Sequence, residues 1–587
     1  MLFRFLPLVI LFTAVAAFAR GNDSDTAGSA DQPEARIVDN FGYLRVAQGE
    51  RTKAIVMADS SLFEGRLVLS LEDALQGELA GVRIVARDGR PGNSFDIVIR
   101  GTGTIYGSTT PLYVVDGLPM RRLDISPRDI ATIAVLKDAA STALYGAEGG
   151  NGVVVITTRR GSQGGPQVSF DINNSVQTTA KKLKMMNSYQ YQRMRYDALS
   201  YFSTVAWGGG YSSDYNIYRD KDANYYYYPK PNPWGDYETY ADPSNPGYVN
   251  TDWTRDVLRP AFLRDYSLRV AGSAGKLTYA VMGGHFDQDG IVRGSGHRRW
   301  SARANMEYRF TPGVAIGANL SMIHTRQSGS DYSSENGVLM KMLSMLPTIP
   351  YTKEFHVMGY SPYMATQKSR SVLYERNTYA RMYLDARLLP ALKSTLSVNY
   401  ISDYTADDLN DEAIMSDYGY VRCTEKRDRF CPKEWMVDYM LNYTPQMSGP
   451  LAVDISGGVM HRRMQEDFDM KKVLYNNSFA NSPSAYSTKH GYDETRETAF
   501  LTGINASLWR DVLISASLRI SRYKDGPTQN FAAFSAGWRF APGFMAFNKW
   551  YISIISIILL SSIIIASASI GSSSFLEKYC LAPSSPS

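Results

Sequence analysis

The sequence predicts a membrane all-β protein: a small N-terminal α+β domain followed by an incomplete transmembrane antiparallel β-barrel. Three observations predict it. From Gln167 onward, apolar and polar residues alternate with a period of two. The connections between the alternating runs are short and long by turns. Ahead of them, Leu71 to Gly161 holds short β-like runs divided by glycine-rich turns. With 587 residues the chain is also too long for one ordinary soluble core.

The elements follow in order. Residues 1–19 read as a secretory signal. Arg4 supplies the positive start, Phe5 to Val15 the apolar run, and Ala17-Phe18-Ala19 the small-residue cleavage site. That run is short for a membrane span, so export is favoured over an anchor. Residues 20–60 open with a Gly, Asp, Ser and Ala stretch whose composition is that of a flexible exported segment. Residues 61–161 form the compact domain. Its β-like runs are Asp96–Arg100, Leu112–Asp116 and Gly152–Thr158, and a small-residue helix is expected over Leu136–Tyr145. Gly146, Gly149, Gly150 and Gly152 are expected to supply positive φ between helix and strand. Gly101, Gly103 and Gly107 are spaced GxGxxxG, which misses the dinucleotide fingerprint and reads as turn glycine.

Residues 167–541 carry the barrel pattern. Trp300, Ala302, Ala304, Met306, Tyr308 and Phe310 share one face, against Ser301, Arg303, Asn305, Glu307 and Arg309. The same split recurs from Ala380 to Leu388, from Ile514 to Ser521 and from Phe534 to Phe540. Runs of about ten residues suit a tilted bilayer crossing better than a soluble sandwich. Short turns fall near 273–276, 311–313, 389–391, 444–450 and 509–511. Long connections fall at 179–263, 326–376, 404–433 and 462–496. That parity is the one outer-membrane barrels show. About twelve strands can be counted, where plugged transporters have roughly 22.

The phrases PLYVVDGLPM (111–120) and VLKDAASTALYGAEGGNGVVVITTRRG (135–161) resemble the plug domain of TonB-dependent outer-membrane receptors of the SusC/RagA type. The resemblance spans about residues 40 to 550. Its signature positions here are Gly77, Gly81, Val82, Arg100, Gly101, Tyr113, Asp116, Gly117, Lys137, Asp138, Ala139, Tyr145, Gly146, Asn151 and Gly152. It implies import of bulky nutrients, glycan oligomers or peptides, powered by the TonB complex, with a SusD-like surface lipoprotein as partner and outer-membrane lipid around the barrel. A siderophore or vitamin receptor, or a remnant that transports nothing, are the rival readings. Ala35–Ala47 is the candidate for the segment that meets TonB by strand addition.

The remaining features qualify this reading. Charges on Arg100, Asp116, Lys137, Asp138 and Arg159 are expected to bridge plug and lumen wall. Trp207, Tyr211, Tyr225, Tyr226, Tyr227, Tyr228 and Trp234 fall in a long connection and are candidates for ligand contact, weighed against a loop packed on its own aromatics. Cys423 and Cys431 enclose seven residues in a polar connection and are candidates for a disulfide. Tyr551 to Leu576 is uncharged and rich in Ile and Ser, and reads as a change of frame near residue 550 rather than a spanning helix. Sixty-two basic against 57 acidic residues give +5, without the basic face of a nucleic-acid binder. The six histidines lack metal-ligand spacing, and no nucleophile–base set or carboxylate pair is discernible. Neither metal, cofactor nor catalysis is expected.

Overall fold

The structure is a computed structural model. It describes residues 38–41, 43–47, 55–60, 70–92, 95–101, 109–120, 125–161, 164–181, 183–191, 194, 248–329, 338–351, 355–356, 359–360, 362–363, 366, 369–414, 421–445, 451–475, 485–509, 511–524, 526–539 and 551–554. Residues 1–19, expected to be a secretory signal, the aromatic cluster from Trp207 to Trp234, Gly103 and Gly107, and the tail past 554 lie outside the described residues.

A hairpin comes first, β1 (Val38–Phe41) with β2 (Leu44–Ala47). The plug then builds a mixed five-stranded sheet from β3 (Ile55–Asp59), β6 (Leu112–Val115), β7 (Leu118–Met120), β8 (Ile130–Leu136) and β9 (Val153–Thr158), in the order β3-β8-β9-β6-β7. β6 and β9 run parallel; the other pairs are antiparallel. A separate hairpin joins β4 (Val82–Ala86) to β5 (Phe95–Ile99). The sheet thus already takes in residues 55–59, ahead of the boundary expected at 61. Its strands read as near-continuous apolar runs because both faces are covered: Val114, Ile130, Ile133, Val135, Leu136, Val153 and Ile156 are fully buried. Helix α1 (Leu71–Leu75) starts where the Ser70 hydroxyl accepts from Asp73 N–H at 3.2 Å.

The helix expected over Leu136–Tyr145 is displaced. Ile130–Leu136 is apolar and β-branched and pairs on both sides, with β3 and β9, so it stays extended. Helical residues begin only after Asp138, whose carboxylate caps α2 (Ala139–Thr142) by accepting from Ser141 N–H at 2.9 Å. A 3-10 stretch, Ala143–Asn151, follows.

From β10 (Gln167–Gln177) the chain is an antiparallel meander. β11 (Ala261–Ala274), β12 (Leu277–Asp289), β13 (Gly296–Thr311) and β14 (Val314–Gly329) lead to β17 (Ser369–Leu389). Between the last two lie α4 (Val338–Ser344) and the two-residue pair β15 (Phe355–His356) and β16 (Gly359–Tyr360); α3 (Thr254–Val257) precedes β11. The meander continues with β18 (Leu392–Ile414), β19 (Val421–Tyr443), β20 (Leu451–Tyr475), β21 (Ala485–Leu508), β22 (Val512–Tyr523) and β23 (Thr528–Arg539), and a short β24 (Tyr551–Ile554) pairs at the end. Twelve long strands match the count read from the sequence. β10 and β24 are edges, so the sheet is open. It wraps the plug as a sector of a wider wall: plug side chains bond to β11 and β20, and a plug carbonyl accepts from β22.

The period-2 pattern sorts the residues inside out. On β13, Trp300 (57% exposed) and Met306 (41%) face away from the plug, while Arg303 (6%) and Asn305 (4%) are buried toward it. Met382 and Leu384 on β17, Ile514 on β22, and Phe534 and Trp538 on β23 are exposed in the same sense, while Ser515, Ser517, Arg519, Ser521 and Ser535 are buried. An apolar outer face and a polar inner one is what a lipid-embedded wall around a polar filling requires. Exposed Tyr308, Phe310, Tyr439, Trp509 and Trp538 ring the short-turn end, and Trp300 and Trp435 stand further up their strands, as aromatic belts do at bilayer interfaces.

Two connections expected to be long are mostly strand. β18 and β19 continue to residues 414 and 421, and β20 and β21 to 475 and 485. Above the apolar band both faces are wet, so alternation fades, but the ladder persists and charges pair across it. Arg429 lies 2.7 Å from Asp408, and Lys426 lies 3.4 Å from Asp407. This corrects the cysteine reading as well. Cys423 and Cys431 sit eight positions apart in the single strand β19, opposite Tyr475 and Asp467. An extended strand separates their Cα atoms by about 26 Å, against the roughly 7 Å a disulfide spans. Cys431 is a free thiol.

Placing a charge on the outer band should therefore be costly. Met382→Arg, at a position 59% exposed, is expected to destabilise the wall by about 2–4 kcal/mol in lipid bilayers. Urea unfolding in liposomes should show this, with a change at least twofold smaller for Tyr486→Arg above the band.

Candidate functional site

The candidate site is the seam where plug and wall meet. Its plug side is led by a tight turn. Val115 pairs with Leu118, leaving Asp116 and Gly117 as a two-residue hairpin loop with φ of 50° and 85°. Two positive φ angles make the primed turn that suits strand twist, and Asp-Gly is a sequence built for it. The turn aims the Asp116 carboxylate back at β9, where it accepts from Thr158 N–H at 3.0 Å and Thr158 O–H at 2.6 Å. Arg303 of β13 approaches the same carboxylate at 3.7 Å, and its Nε lies 3.7 Å from Asp129. The Asn305 amide donates to Thr158 Oγ1 at 2.7 Å and to the Arg159 carbonyl at 3.0 Å. Burial pushes the Asp129 carboxyl up from its ordinary value, although Arg303, Arg299 and Arg159 pull it down.

Two further wall arginines share one arrangement. Arg462 of β20 donates through Nη2 to Glu434 of β19 at 2.9 Å, and through Nη1 to plug Glu148 at 2.9 Å. Arg519 of β22 donates through Nη2 to Glu497 of β21 at 2.6 Å, and through Nη1 to the plug carbonyl of Leu144 at 2.9 Å; its Nε donates to Ser521. Each guanidinium is thus fixed by a neighbouring strand's carboxylate and offers its spare nitrogen to the plug. The planar fork of arginine permits this; a lysine ammonium would not hold both directions. From the other side, plug Arg128 donates to Asp265 of β11 at 3.0 Å.

The hairpin ahead of the plug enters the seam too. Tyr43, 7% exposed, donates from its hydroxyl to Asp438 of β19 at 3.0 Å, and its N–H donates to the Tyr145 hydroxyl at 3.3 Å. The two rings lie 5.4 Å apart. Asp438 also accepts from Ser397 at 3.0 Å and Asn399 at 2.9 Å, so its buried charge is satisfied. Met436 and Met460 pack beside Tyr43 in the same apolar cluster as the plug core. Burial raises both phenols: Asp438 adds to the rise at Tyr43, and the bond from Tyr43 N–H opposes it at Tyr145.

The signature positions divide by role. Gly77, Gly81, Gly101, Gly117, Gly146 and Gly152 have positive φ, as do the non-glycines Arg100 and Asp116. Gly149 and Gly150 do not take the positive φ expected of them; a Cβ on Gly149 would meet the Thr142 carbonyl at 2.8 Å, so close packing demands that glycine. Val82 opens β4, Ala139 opens α2, and Tyr113 is buried in the sheet. Lys137 donates to the Ala80 carbonyl at 2.8 Å and Asn151 to the Thr110 carbonyl at 3.4 Å. Of the charges expected to bridge plug and wall, Asp116 reaches Arg303, whereas Lys137, Asp138 and Arg159 make bonds within the plug. Sequence reasoning did not single out Tyr43, Glu148, Glu434, Asp438, Arg462 and Glu497. For Glu434, Asp438, Arg462 and Glu497 the available signal was a charge on the plug-facing side of a strand; Tyr43, in a turn, and Glu148, in the 3-10 stretch, carried none.

Comparison with known proteins agrees with this geometry. The family model described as TonB-dependent Receptor Plug Domain matches residues 50–153. The TonB-dependent receptor SusC of Bacteroides thetaiotaomicron is 31% identical over 281 residues, 46% of this chain and 24% of that protein. A TonB-dependent receptor of Formosa agariphila is 24% identical over 526 residues, 85% of this chain and 46% of that protein. The chain thus spans less than half the length of these relatives. The solved structure of the RagAB peptide importer in its open-open state superposes with a TM-score of 0.68 at 19% identity, over 87% of this chain and 60% of that one.

The seam generates its own prediction. Arg519→Leu leaves Glu497 buried without its partner and should destabilise the folded chain by about 3–5 kcal/mol. The midpoint of heat-modifiable migration on gels should fall accordingly; an unchanged midpoint would show that the pair carries no net stability.

Proposed function

We propose that this chain, a TonB-dependent receptor of the SusC/RagA type, takes part in energy-coupled import of bulky hydrophilic nutrients across the outer membrane. One observation carries the reading: a plug with a sheet of its own is seated in a lipid-facing wall through a seam where hydrogen bonds and ion pairs, such as Arg303 with Asp116 and Arg462 with Glu148, are set among apolar contacts. Polar contacts can be exchanged for water when the plug shifts, whereas an apolar seam would resist.

The remaining assignments follow the family. The TonB complex acts from the short-turn end, where the chain passes from plug to β10 and Ser273 N–H donates to the Gly164 carbonyl at 3.0 Å. The segment around residues 38–47 is the candidate for contact, now as a hairpin rather than a free strand. A SusD-like lipoprotein covers the long-connection end. There Trp253, Val257, Val292, Val338, Met342 and Ile349 pack into a small core, and Trp253 donates to the Leu346 carbonyl at 3.0 Å, which gives that end a firm rim. Glycan oligomers or peptides are the cargo, and the aromatic connection from Trp207 to Trp234 is proposed to contact them. The chain is read as a transporter component and not as an enzyme.

Uptake of a labelled glycan oligomer and of a labelled peptide of similar mass tests this, in cells carrying the chain with and without TonB. Import of either label that disappears without TonB is the expected result. Import unaffected by loss of TonB, or none of either label while the chain sits folded in the outer membrane, would contradict the proposal.

A further inference from the structure

The outer face of the wall changes character along its strands. On β13, β14 and β17 that face carries no carboxylate, lysine or arginine from the short-turn end until Arg298, Arg326 and Arg376. Arg298 stands 13 positions before Thr311, where β13 ends. At about 3.3 Å per residue and a tilt near 40°, that is roughly 33 Å up the wall, past an apolar band of about 25 Å and into the head-group layer. Lys433, Arg463, Arg496 and Arg522 continue this basic level on β19 to β22. Asp287 of β12 stands among the cations and is already paired: it accepts from Arg298 Nε at 3.1 Å and lies 3.6 Å from Arg264 of β11.

Two places in this belt set one arginine directly opposite another. Like charges opposite each other across a ladder cost stability. Where Arg463 faces Arg496 the chain supplies the anion itself, because Glu494 accepts from both. Where Arg298 faces Arg326 it does not. Arg326 enters no ion pair among the described residues, its Nε is buried without a hydrogen-bond partner, and its guanidinium lies 5.7 Å from the centre of the Tyr374 ring. Arg376 is exposed, one diagonal step away on β17, and also outside any ion pair among the described residues.

We propose that Arg298, Arg326 and Arg376 hold the phosphate monoester of an outer-leaflet lipid against the outside of the wall. Such a phosphate carries close to two negative charges and three acceptor oxygens, and the planar fork of arginine meets it in pairs of hydrogen bonds. Lower on the same strands Trp300, Met322 and Met382 are 57%, 58% and 59% exposed, a surface on which acyl chains can lie. A dissolved phosphate would use the arginines alone; a lipid uses the arginines and the apolar surface beneath them. The lipid supplies here the anion that Glu494 supplies to Arg463 and Arg496. The inference rests on the outer face and does not require that the chain import anything.

The test is native mass spectrometry of the purified full chain in detergent, with bisphosphorylated lipid A as the probe. The unmodified chain should retain it. Arg326→Gln with Arg376→Gln should weaken retention by about tenfold or more, the scale of one lost hydrogen bond between charged groups. Lys471→Gln with Lys472→Gln removes the same charge higher on β20 and should leave retention within about twofold. Arg326→Lys, combined with Arg376→Gln, keeps one charge but not its fork and should recover only part of the loss. Lipid A stripped of phosphate, and inorganic phosphate, should each bind at least about tenfold more weakly than lipid A. Heat-modifiable migration reports folding; without lipid, the glutamine variants should match or exceed the midpoint of the unmodified chain, since a like-charge pair is relieved. If the double variant fails to fold, Arg376→Gln alone carries the comparison. Equal losses in the two double variants, or no lipid A retained by the unmodified chain, would overturn the site. Inorganic phosphate bound as tightly as lipid A would overturn the lipid as its occupant. A lower midpoint for the folded glutamine variants without lipid would make the arginines structural and overturn the proposal as well.

Discussion

A buried arginine shared between a wall carboxylate and the plug is the interaction on which the rest of this structure depends. A lone guanidinium taken out of water is costly, by several kcal/mol even after relaxation. Arg462 and Arg519 avoid that cost without the plug, because Glu434 and Glu497 on adjacent strands neutralise them across the ladder. The plug then adds one further acceptor to a charge already in place. A shift of the plug would leave the arginine its carboxylate and remove only that added bond. Such a seam would hold the plug without stranding a charge in the lumen if the plug were displaced. Asp116 follows the same logic from the other side: Thr158 satisfies it inside the plug, and Arg303 approaches at the longer distance of 3.7 Å.

That division makes sense of the wall's inverted pattern. The lipid face carries Met382, Ile514 and Phe534, and the inner face carries arginine, serine, asparagine and carboxylates. A closed apolar lumen would grip the plug through the hydrophobic effect, which has no discrete bonds to exchange. The apolar contact that does exist is set among the polar groups: Ile323, Tyr379, Ile401, Ala499 and Leu501 of the wall join the plug core's cluster. Met436, Met440 and Met460 meet the plug core beside Tyr43 and Tyr145, where thioethers fill an irregular gap between a sheet and a 3-10 stretch.

Much of this was legible in the sequence, and the failures have physical causes. Alternation from Trp300 to Phe310 predicted which residues face outward, because lipid enforces it at every second position. The Asp-Gly turn and the parity of the connections were legible for similar local reasons. The upper halves of β18 to β21 were not. Outside the bilayer nothing enforces alternation, so charged ladders such as Arg429 with Asp408 read as polar loop, and Cys423 and Cys431 as a loop pair. The helix begins after Asp138 and not at Leu136 because Ile130–Leu136 pairs on both sides, whereas the small residues that follow signal helix without marking its first turn. Partners such as Arg462 and Glu148, separated by 314 positions, have no local signal. Their types could be guessed from the polar face, but their pairing is a product of the fold.

The most direct test of the shared-arginine account is a pair of double-mutant cycles in lipid, Arg462 with Glu148 and Arg462 with Glu434, using Arg462→Met, Glu148→Gln and Glu434→Gln and reading unfolding in urea. Coupling to Glu434, between buried wall partners, should be about 3 kcal/mol or more. Coupling to the partly exposed Glu148 should be about 1 kcal/mol or less. Equal couplings, or a larger one to the plug, would contradict the claim that the wall anchors the arginine and merely lends it to the plug.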